Sequence, residues 1–113
     1  MIGQSGCPIV NEVVWVSKRS EIERAVQVLA PRIPDFEAGA IADHAVCSPA
    51  LSTASPQSAA WLSMVAFVRH ALTEYDSLLE EGYDPDSARH FVAADMQAVL
   101  SDWGVERLLT SSD

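Results

Sequence analysis

The sequence predicts an all-α protein, a compact single domain of four helices with a short extended N-terminal segment. Apolar residues recur at intervals of three and four over most of the chain, and prolines and glycines separate the stretches that carry them. Only one β-branched run, IVNEVVWVS at residues 9–17, resembles a strand. Since a lone strand cannot form a sheet, we expect this run to pack on the helices as extended chain or to pair with a second copy of the protein.

The chain of 113 residues is long enough to bury one hydrophobic core, and its apolar fraction of 49% is typical of a globular domain. We expect flexible tails at residues 1–8 and 110–113, and a single helical domain over 9–109 with a loop at 47–56. No apolar run approaches the roughly 20 residues of a membrane span. The N-terminus has neither the basic nor the apolar region of a secretory signal, so a cytoplasmic location without membrane attachment is expected.

Capping residues and prolines delimit the first two helices. Ser20 and Glu23 form the capping-box pattern SEIE, which predicts that a helix begins at Ser20. Pro31 ends this helix. Asp35 is expected to cap a second helix that runs from residue 36 to about residue 46.

The third and fourth helices each begin at a capping residue followed by proline. Ser-Pro at residues 55–56 predicts a helix that continues without interruption to Glu81, with Gly82 in the left-handed position after its end. The first half of this helix carries enough apolar residues to be buried on more than one side, so the helix is predicted to be central. Asp-Pro at residues 84–85 predicts the start of the fourth helix, which ends at Gly104.

Negative charge is concentrated in the second half of the chain. The net charge is −9, from 16 acidic and 7 basic residues. Such a chain repels the phosphate backbone of nucleic acids, so nucleic-acid binding is not expected. The acidic segment is either a solvated face or a surface that attracts a basic protein. Its members form the candidate acidic interaction surface: Glu74, Glu80, Glu81, Asp84 and Asp86.

The two cysteines, Cys7 and Cys47, fall in a predicted tail and a predicted loop. Without an export signal free thiols are favoured, although the spacing leaves a disulfide open. The three histidines are widely separated and no CxxC pair occurs, so neither a metal site nor a cofactor is expected. No phosphate-binding loop, dinucleotide fingerprint or hydrolase motif is present, which favours a protein without enzymatic activity.

The stretch VRHALTEYD at residues 68–76 carries most of a candidate polar site. On one continuous helix Arg69, Thr73 and Asp76 share a face, where they can hold an anion or work with a histidine as acid or base. The alternative is a structural polar network, in which Thr73 bonds to the helix backbone and Tyr75 buries its ring. The candidate polar site consists of His44, Arg69, His70, Thr73, Tyr75 and Asp76.

These residues resemble a known family. FEAGAIADHA (36–45), VRHALTEYDSLLEEGYDPDSAR (68–89) and VLSDW (99–103) are similar to the bacterial and fungal domain of unknown function numbered 2293. That family shows E-A-x-x-I-A-x-H-A, then R-H-x-x-T-x-Y-D-x-L-L-x-x-G-x-D-x-x-x-A-R, then V-L-x-x-W, and the resemblance spans roughly residues 14–103. It implies no activity. The positions that match its motif are Glu37, His44, Arg69, His70, Thr73, Tyr75, Asp76 and Arg89.

The chain departs from the family pattern at two places. The resemblance implies a loop similar to G-S-G-R-V-G-R, whereas this chain has the uncharged CSPALSTAS at residues 47–55. The position after Asp84 is often arginine in the family and is Pro85 here. The resemblance thus implies a basic, anion-binding loop that this chain lacks, so we expect it to bind phosphate or nucleic acid poorly.

The first hypothesis is a non-enzymatic protein-interaction module, with another protein or a second copy of the chain as its partner. The small size, the acidic surface and the N-terminal segment support it. An alternative is a small-ligand or enzyme site on the RHxxTxYD face, which requires His44 and His70 to converge in a pocket. A nucleic-acid-associated protein, or an acidic inhibitor that mimics nucleic acid, remains a further alternative.

Overall fold

The structure, a computed structural model, describes residues 12–51, 53–107 and 109, and for residues 12–17 it describes the backbone only. Within these residues the chain forms helices and no strand, which confirms the all-α prediction. Five α-helices replace the four that were predicted. They are α1 (Glu12–Leu29), α2 (Asp35–Cys47), α3 (Pro56–Ala71), α4 (Tyr75–Glu80) and α5 (Pro85–Asp102), with a short 3-10 turn at Pro49–Leu51.

The predicted N-terminal extended segment is wrong for residues 12–17, which belong to α1, and residues 9–11 lie outside the described part. The predicted start at Ser20 is also wrong, because the helix passes through this exposed residue. Glu23, the acid of the capping-box pattern, accepts a hydrogen bond from Arg19 Nε at 2.9 Å. Arg19 also pairs with Asp43 of α2. Glu23, which was expected to help cap α1, therefore belongs instead to a group of charged side chains that links α1 to α2.

Ser55 and Asp84 are the N-caps of α3 and α5, as predicted. Each side-chain oxygen accepts a hydrogen bond from the backbone N–H three residues further along, at 3.1 Å for Ser55 and 3.4 Å for Asp84. The predicted cap of α2 is wrong by one residue, because Pro34 precedes the helix and Asp35 is its first residue. Asp35 there still places a negative charge in the first turn, where it stabilises the helix N-terminus.

The hydrophobic core surrounds α3, which contacts all four other helices and is the predicted central helix. The helices α1, α2 and α3 pack against one another, and α5 packs on α3 and α4. Each of the four longer helices contributes fully buried side chains: Ile22, Val26, Ile41, Met64, Val68 and Leu100. The core is thus continuous from α1 to α5, and α4 lies at its edge.

The C-terminal end of α5 is fastened to the loop between α1 and α2. The backbone N–H of Arg32 donates to the Trp103 carbonyl at 2.8 Å, and its guanidinium donates to the carbonyls of residues 101–102 at 3.1 and 3.2 Å. Gly104 follows α5 with φ of +89°, and a Cβ there would lie 3.1 Å from Pro31 Cδ. The close approach of the two segments therefore requires glycine at this position.

Cys47, the last residue of α2, is disulfide-bonded. The expectation of a free thiol is therefore wrong for this residue, and Cys7 lies outside the described residues. The error has a plain cause: cysteine spacing and compartment arguments do not locate the two sulfur atoms in space. Within the described residues, no helix combines the length and the apolar content that crossing a membrane would require.

Candidate functional site

The predicted third helix is interrupted inside the VRHALTEYD stretch. α3 ends at Ala71, residues 72–74 form a turn, and α4 then runs from Tyr75 to Glu80. The prediction of one continuous helix to Glu81 is therefore wrong, although Gly82 follows α4 with φ of +104°, as expected for a helix end. The candidate polar site is thus a junction between two helices rather than one helix face.

The hydroxyl of Thr73 accounts for the interruption. It donates a hydrogen bond to the carbonyl of Arg69 and accepts one from the backbone N–H of Tyr75 at 3.2 Å. In an uninterrupted helix the Arg69 carbonyl would instead accept from the backbone N–H of Thr73. The side chain has taken over this bond, which is how threonine competes with helical structure. A single hydroxyl therefore bonds both to the last turn of α3 and to the first residue of α4.

The ring of Tyr75 is enclosed by the residues around this turn. Its side chain is buried, with 6% of the residue exposed. The guanidinium carbon of Arg69 lies 5.6 Å from the centroid of the tyrosine ring, and the ring of His70 meets it edge-on at 5.2 Å. Both distances are typical of attractive contacts with an aromatic ring. Tyr75 is therefore the apolar centre of the junction.

His70 and Asp76 form a bridge from the last turn of α3 to the first turn of α4. His70 Nδ1 lies 2.7 Å from Asp76 Oδ1, and both side chains are about half exposed. Exposed pairs of this kind contribute little to stability, because water and salt screen them. The structure thus brings together five of the six candidate residues around the turn between α3 and α4.

His44, the sixth candidate residue, has a different partner. Its Nδ1 lies 3.1 Å from the hydroxyl oxygen of Ser63, a buried residue of α3. Ser63 and His70 are seven residues apart on α3, which places them about 10 Å apart along the helix axis. These contacts give no support to a pocket shared by His44 and His70. Among the described residues, no three His, Cys, Asp or Glu side chains are grouped as metal ligands would be.

A groove lies beside the junction, between α4 and α5. Its volume is about 220 Å³, and Glu74 and Asp95 contribute carboxylates to its walls. The rings of Tyr83 and Phe91 meet edge-on at 5.4 Å and remain 41% and 59% exposed. We call this feature the acidic groove. The residues that line it are Glu74, Leu78, Tyr83, Phe91, Val92 and Asp95.

The sequence identified only part of the acidic groove. Glu74 belongs to the candidate acidic interaction surface, all of whose members are exposed. Tyr83, Phe91 and Asp95 were missed as site residues. Phe91 and Val92 both fit the apolar stripe of α5, but only Val92 is buried. The buried residues of α5 follow at intervals of four, Ala88, Val92, Met96 and Leu100, and Phe91 lies outside this series. That spacing is the sequence signal that points to an exposed aromatic side chain at position 91.

The carboxyl of Asp84 has a lowered pKa. Hydrogen bonds from Ser87, first from its side chain and then from its backbone N–H, hold the pKa of the Asp84 carboxyl below the usual 3.8. The carboxylate therefore stays charged at the N-terminus of α5, where negative charge is favourable. It adds to the negative potential next to the acidic groove.

The fold and the site define a small all-α domain with a polar helix junction and an acidic groove. The chain belongs to the family of uncharacterized conserved proteins designated DUF2293, whose family model matches residues 25–104. This confirms the resemblance drawn from the sequence motifs. The matched segment starts in α1 and ends at Gly104, so it includes both the junction and the groove. Neither a curated protein nor a solved structure matches the chain.

Proposed function

We propose that this protein is a protein-interaction module that binds a basic, partly apolar segment of a partner protein in the acidic groove. The observation that carries the proposal is the exposed pair of Tyr83 and Phe91, which lies in a groove with carboxylates on its walls. Exposed aromatic residues that cluster in a concave surface are typical of binding sites. The carboxylates on the groove walls favour a basic partner segment over an acidic one.

The apolar part of the acidic groove supplies affinity. Val92 is buried and Leu78 is half-buried, so they form a floor, and the rings of Tyr83 and Phe91 rise from it toward solvent. An apolar side chain of the partner that covers both rings would remove their exposed surface from water. Burial of one such side chain is worth about 1.5–3 kcal/mol. The groove is small enough that one or two side chains fill it.

Charge supplies selectivity and speed of association. Glu74 and Asp95 line the groove, and no lysine or arginine is among its lining residues. The other members of the candidate acidic interaction surface lie on α4, on the turn after it and at the start of α5. A negative surface of this extent attracts lysine- or arginine-rich segments and repels acidic ones. The expected partner segment therefore has an apolar residue flanked by basic residues.

The junction has a positioning role in this proposal. Thr73 and Tyr75 flank Glu74 in the chain, and the Thr73 hydroxyl bonds to the backbone on both sides of the turn. The bridge between His70 and Asp76 holds the same two helix ends together. These contacts fix the turn that carries Glu74, and therefore the position of Glu74 in the wall of the groove. The polar residues thus shape the docking surface rather than react with a ligand.

The proposal is tested by binding of a labelled synthetic peptide in which a central phenylalanine is flanked by lysines, followed by fluorescence anisotropy. Phe91→Ala should weaken binding at least tenfold, because truncation of a central aromatic residue costs more than about 1.4 kcal/mol. Phe36→Ala is the matched control, since Phe36 on α2 is 79% exposed and lies outside the groove. Binding should also weaken as salt concentration rises.

Three results would count against the proposal. One is equal loss of affinity in Phe91→Ala and Phe36→Ala, which would show that the peptide does not bind in the groove. A second is equal binding of a peptide with glutamates in place of the lysines, which would remove the electrostatic argument. The third is the absence of any saturable binding of the lysine peptide at low salt.

A further inference from the structure

A second concave site lies at the other end of α3. It is a cavity of about 480 Å³ between α1, the first turn of α3 and the segment that follows α5. Its apolar lining includes Ala25, Val28 and Leu29 of α1. Val28 is 75% exposed although it belongs to the same apolar stretch as the core residues of α1. The volume lies within the range of roughly 300–1,000 Å³ that small-molecule sites occupy.

Two guanidinium groups line this cavity. Arg24 projects from α1, and Arg107 lies in the segment after α5. Within the part of the chain that the structure describes, no ion pair joins either of them to a carboxylate. Glu21 also lines the cavity, so its three charged side chains sum to one positive charge. This is the charge balance that suits a single negative charge on a ligand.

The guanidinium of Arg107 lies over a buried aromatic ring. Its guanidinium carbon lies 4.3 Å from the centroid of the Trp61 ring, and Trp61 is buried in α3. Stacking on a ring uses the flat face of a guanidinium and leaves its N–H groups, which point outward in the plane, able to donate. Two parallel N–H donors match the two oxygens of a carboxylate. The attraction to the Trp61 ring therefore favours this position of the Arg107 guanidinium at the cavity.

The acidic end of the molecule does not cancel this positive charge. The cavity includes the first turn of α3, whereas the acidic groove begins beyond its last residue. α3 has 16 residues, so the two sites are separated by about 24 Å along its axis. Charges this far apart are screened from one another at physiological salt, where the screening length is about 8 Å.

From these observations we infer that the cavity binds a small organic carboxylate with a compact apolar body. The carboxylate pairs with the guanidinium of Arg107, Arg24 adds a second positive charge, and the apolar body lies on Ala25, Val28 and Leu29. The site is independent of the acidic groove and does not rest on the function proposed for it. Its ligand is negatively charged, whereas the partner proposed for the acidic groove is positively charged and binds at the other end of α3.

The test is a titration of the ¹⁵N-labelled full chain with phenylacetate, followed by chemical-shift changes of backbone amides and of the Trp61 indole N–H. The matched probe is phenylacetamide, which has the same shape and no charge. Saturable shifts should appear at residues 24–29, 57 and 58 with phenylacetate. Phenylacetamide should bind more weakly than phenylacetate by about tenfold or more, since it cannot form the charge-assisted bidentate pair with an arginine.

Variants separate this site from general attraction of anions. Arg107→Gln and Arg24→Gln should each weaken phenylacetate binding, Arg107→Gln more strongly. Arg89→Gln is the control, because Arg89 pairs with Asp86 near the other end of α5 at 3.6 Å. Arg24 lies on the exposed side of α1, so Arg24→Gln keeps the test valid if Arg107→Gln does not fold. The inference is overturned by equal binding of acid and amide, by Arg89→Gln weakening binding as much as the two cavity variants, or by the absence of saturable shifts.

Discussion

Replacement of Thr73 by valine tests whether one hydroxyl holds the α3–α4 junction. Valine has nearly the same shape as threonine, so Thr73→Val removes the hydroxyl without opening a cavity. It deletes the hydrogen bond to the Arg69 carbonyl and the one from the Tyr75 N–H. Thr73 is half-buried, so water replaces these bonds only in part.

The expected cost follows from these two bonds. Each hydrogen bond contributes about 1 kcal/mol, so the free energy of unfolding should fall by about 2 kcal/mol. The entropy of unfolding is about 2.1 cal/mol/K per residue, or about 0.24 kcal/mol/K for a chain of 113 residues. The melting temperature should therefore fall by about 8 °C. Since the junction places Glu74, binding of the lysine peptide should weaken as well.

The assay is urea and thermal unfolding followed by circular dichroism, with two controls. Thr73→Ser keeps the hydroxyl and should retain most of the stability. Thr53→Val makes the same chemical change at an exposed residue and should have little effect. If Thr73→Val costs no more than Thr53→Val, the hydroxyl does not hold the junction, and the interruption of the helix has another cause.

Further predictions concern the turn, the bridge and the cap near the acidic groove. Gly82→Ala should destabilise the protein by about 1–2 kcal/mol because φ is +104°. Gly39→Ala in α2, where a methyl group meets no atom within 4 Å, should stabilise it by up to about 1 kcal/mol. Equal effects of the two substitutions in urea unfolding would refute this. Asp76→Asn should change the free energy of unfolding by less than about 1 kcal/mol, and a loss as large as that of Thr73→Val would contradict it. Because its folded-state pKa is lowered, Asp84 contributes stability that is complete above the usual 3.8 and is lost as the pH falls through the folded value. In Asp84→Asn the asparagine still caps α5 but does not titrate, so the free energy of unfolding should fall less on acidification than in the original protein. An unchanged fall would show that the Asp84 cap is not the cause of the lost stability.

The starts of α3 and α5 were predicted correctly from local signals. The Ser-Pro and Asp-Pro patterns before α3 and α5 place a side-chain acceptor next to a backbone that proline already restricts, so no distant contact is needed. The SEIE pattern at Ser20 failed because nothing in residues 12–19 stops a helix. Its acid, Glu23, then pairs with Arg19. A capping pattern predicts a helix start only where the preceding residues cannot extend the helix.

The break after α3 could not be predicted from periodicity. Apolar positions continue at helical spacing from Val68 through Tyr75 to Leu78, and no glycine or proline intervenes. The Thr73 hydroxyl bonds to the Arg69 carbonyl, which in a continuous helix would accept from the Thr73 backbone N–H, so side chain and backbone compete for one acceptor. The candidate residues at positions 69–76 were therefore predicted to lie on one helix, whereas they lie on two helices and the turn between them. Sequence reasoning missed Phe91 because the packing of α5 on α4 decides which apolar neighbour is buried.

The bonds that Arg32 makes to the end of α5 have a consequence for how the domain folds. They join residues 70 positions apart in the chain, and closing a loop of that length costs on the order of 4 kcal/mol in chain entropy. Helices and short connections form before such a distant contact can. We therefore expect the closure to be a late folding event that needs nearly the whole chain from α1 to α5. The family match ends at Gly104, the residue that this closure requires.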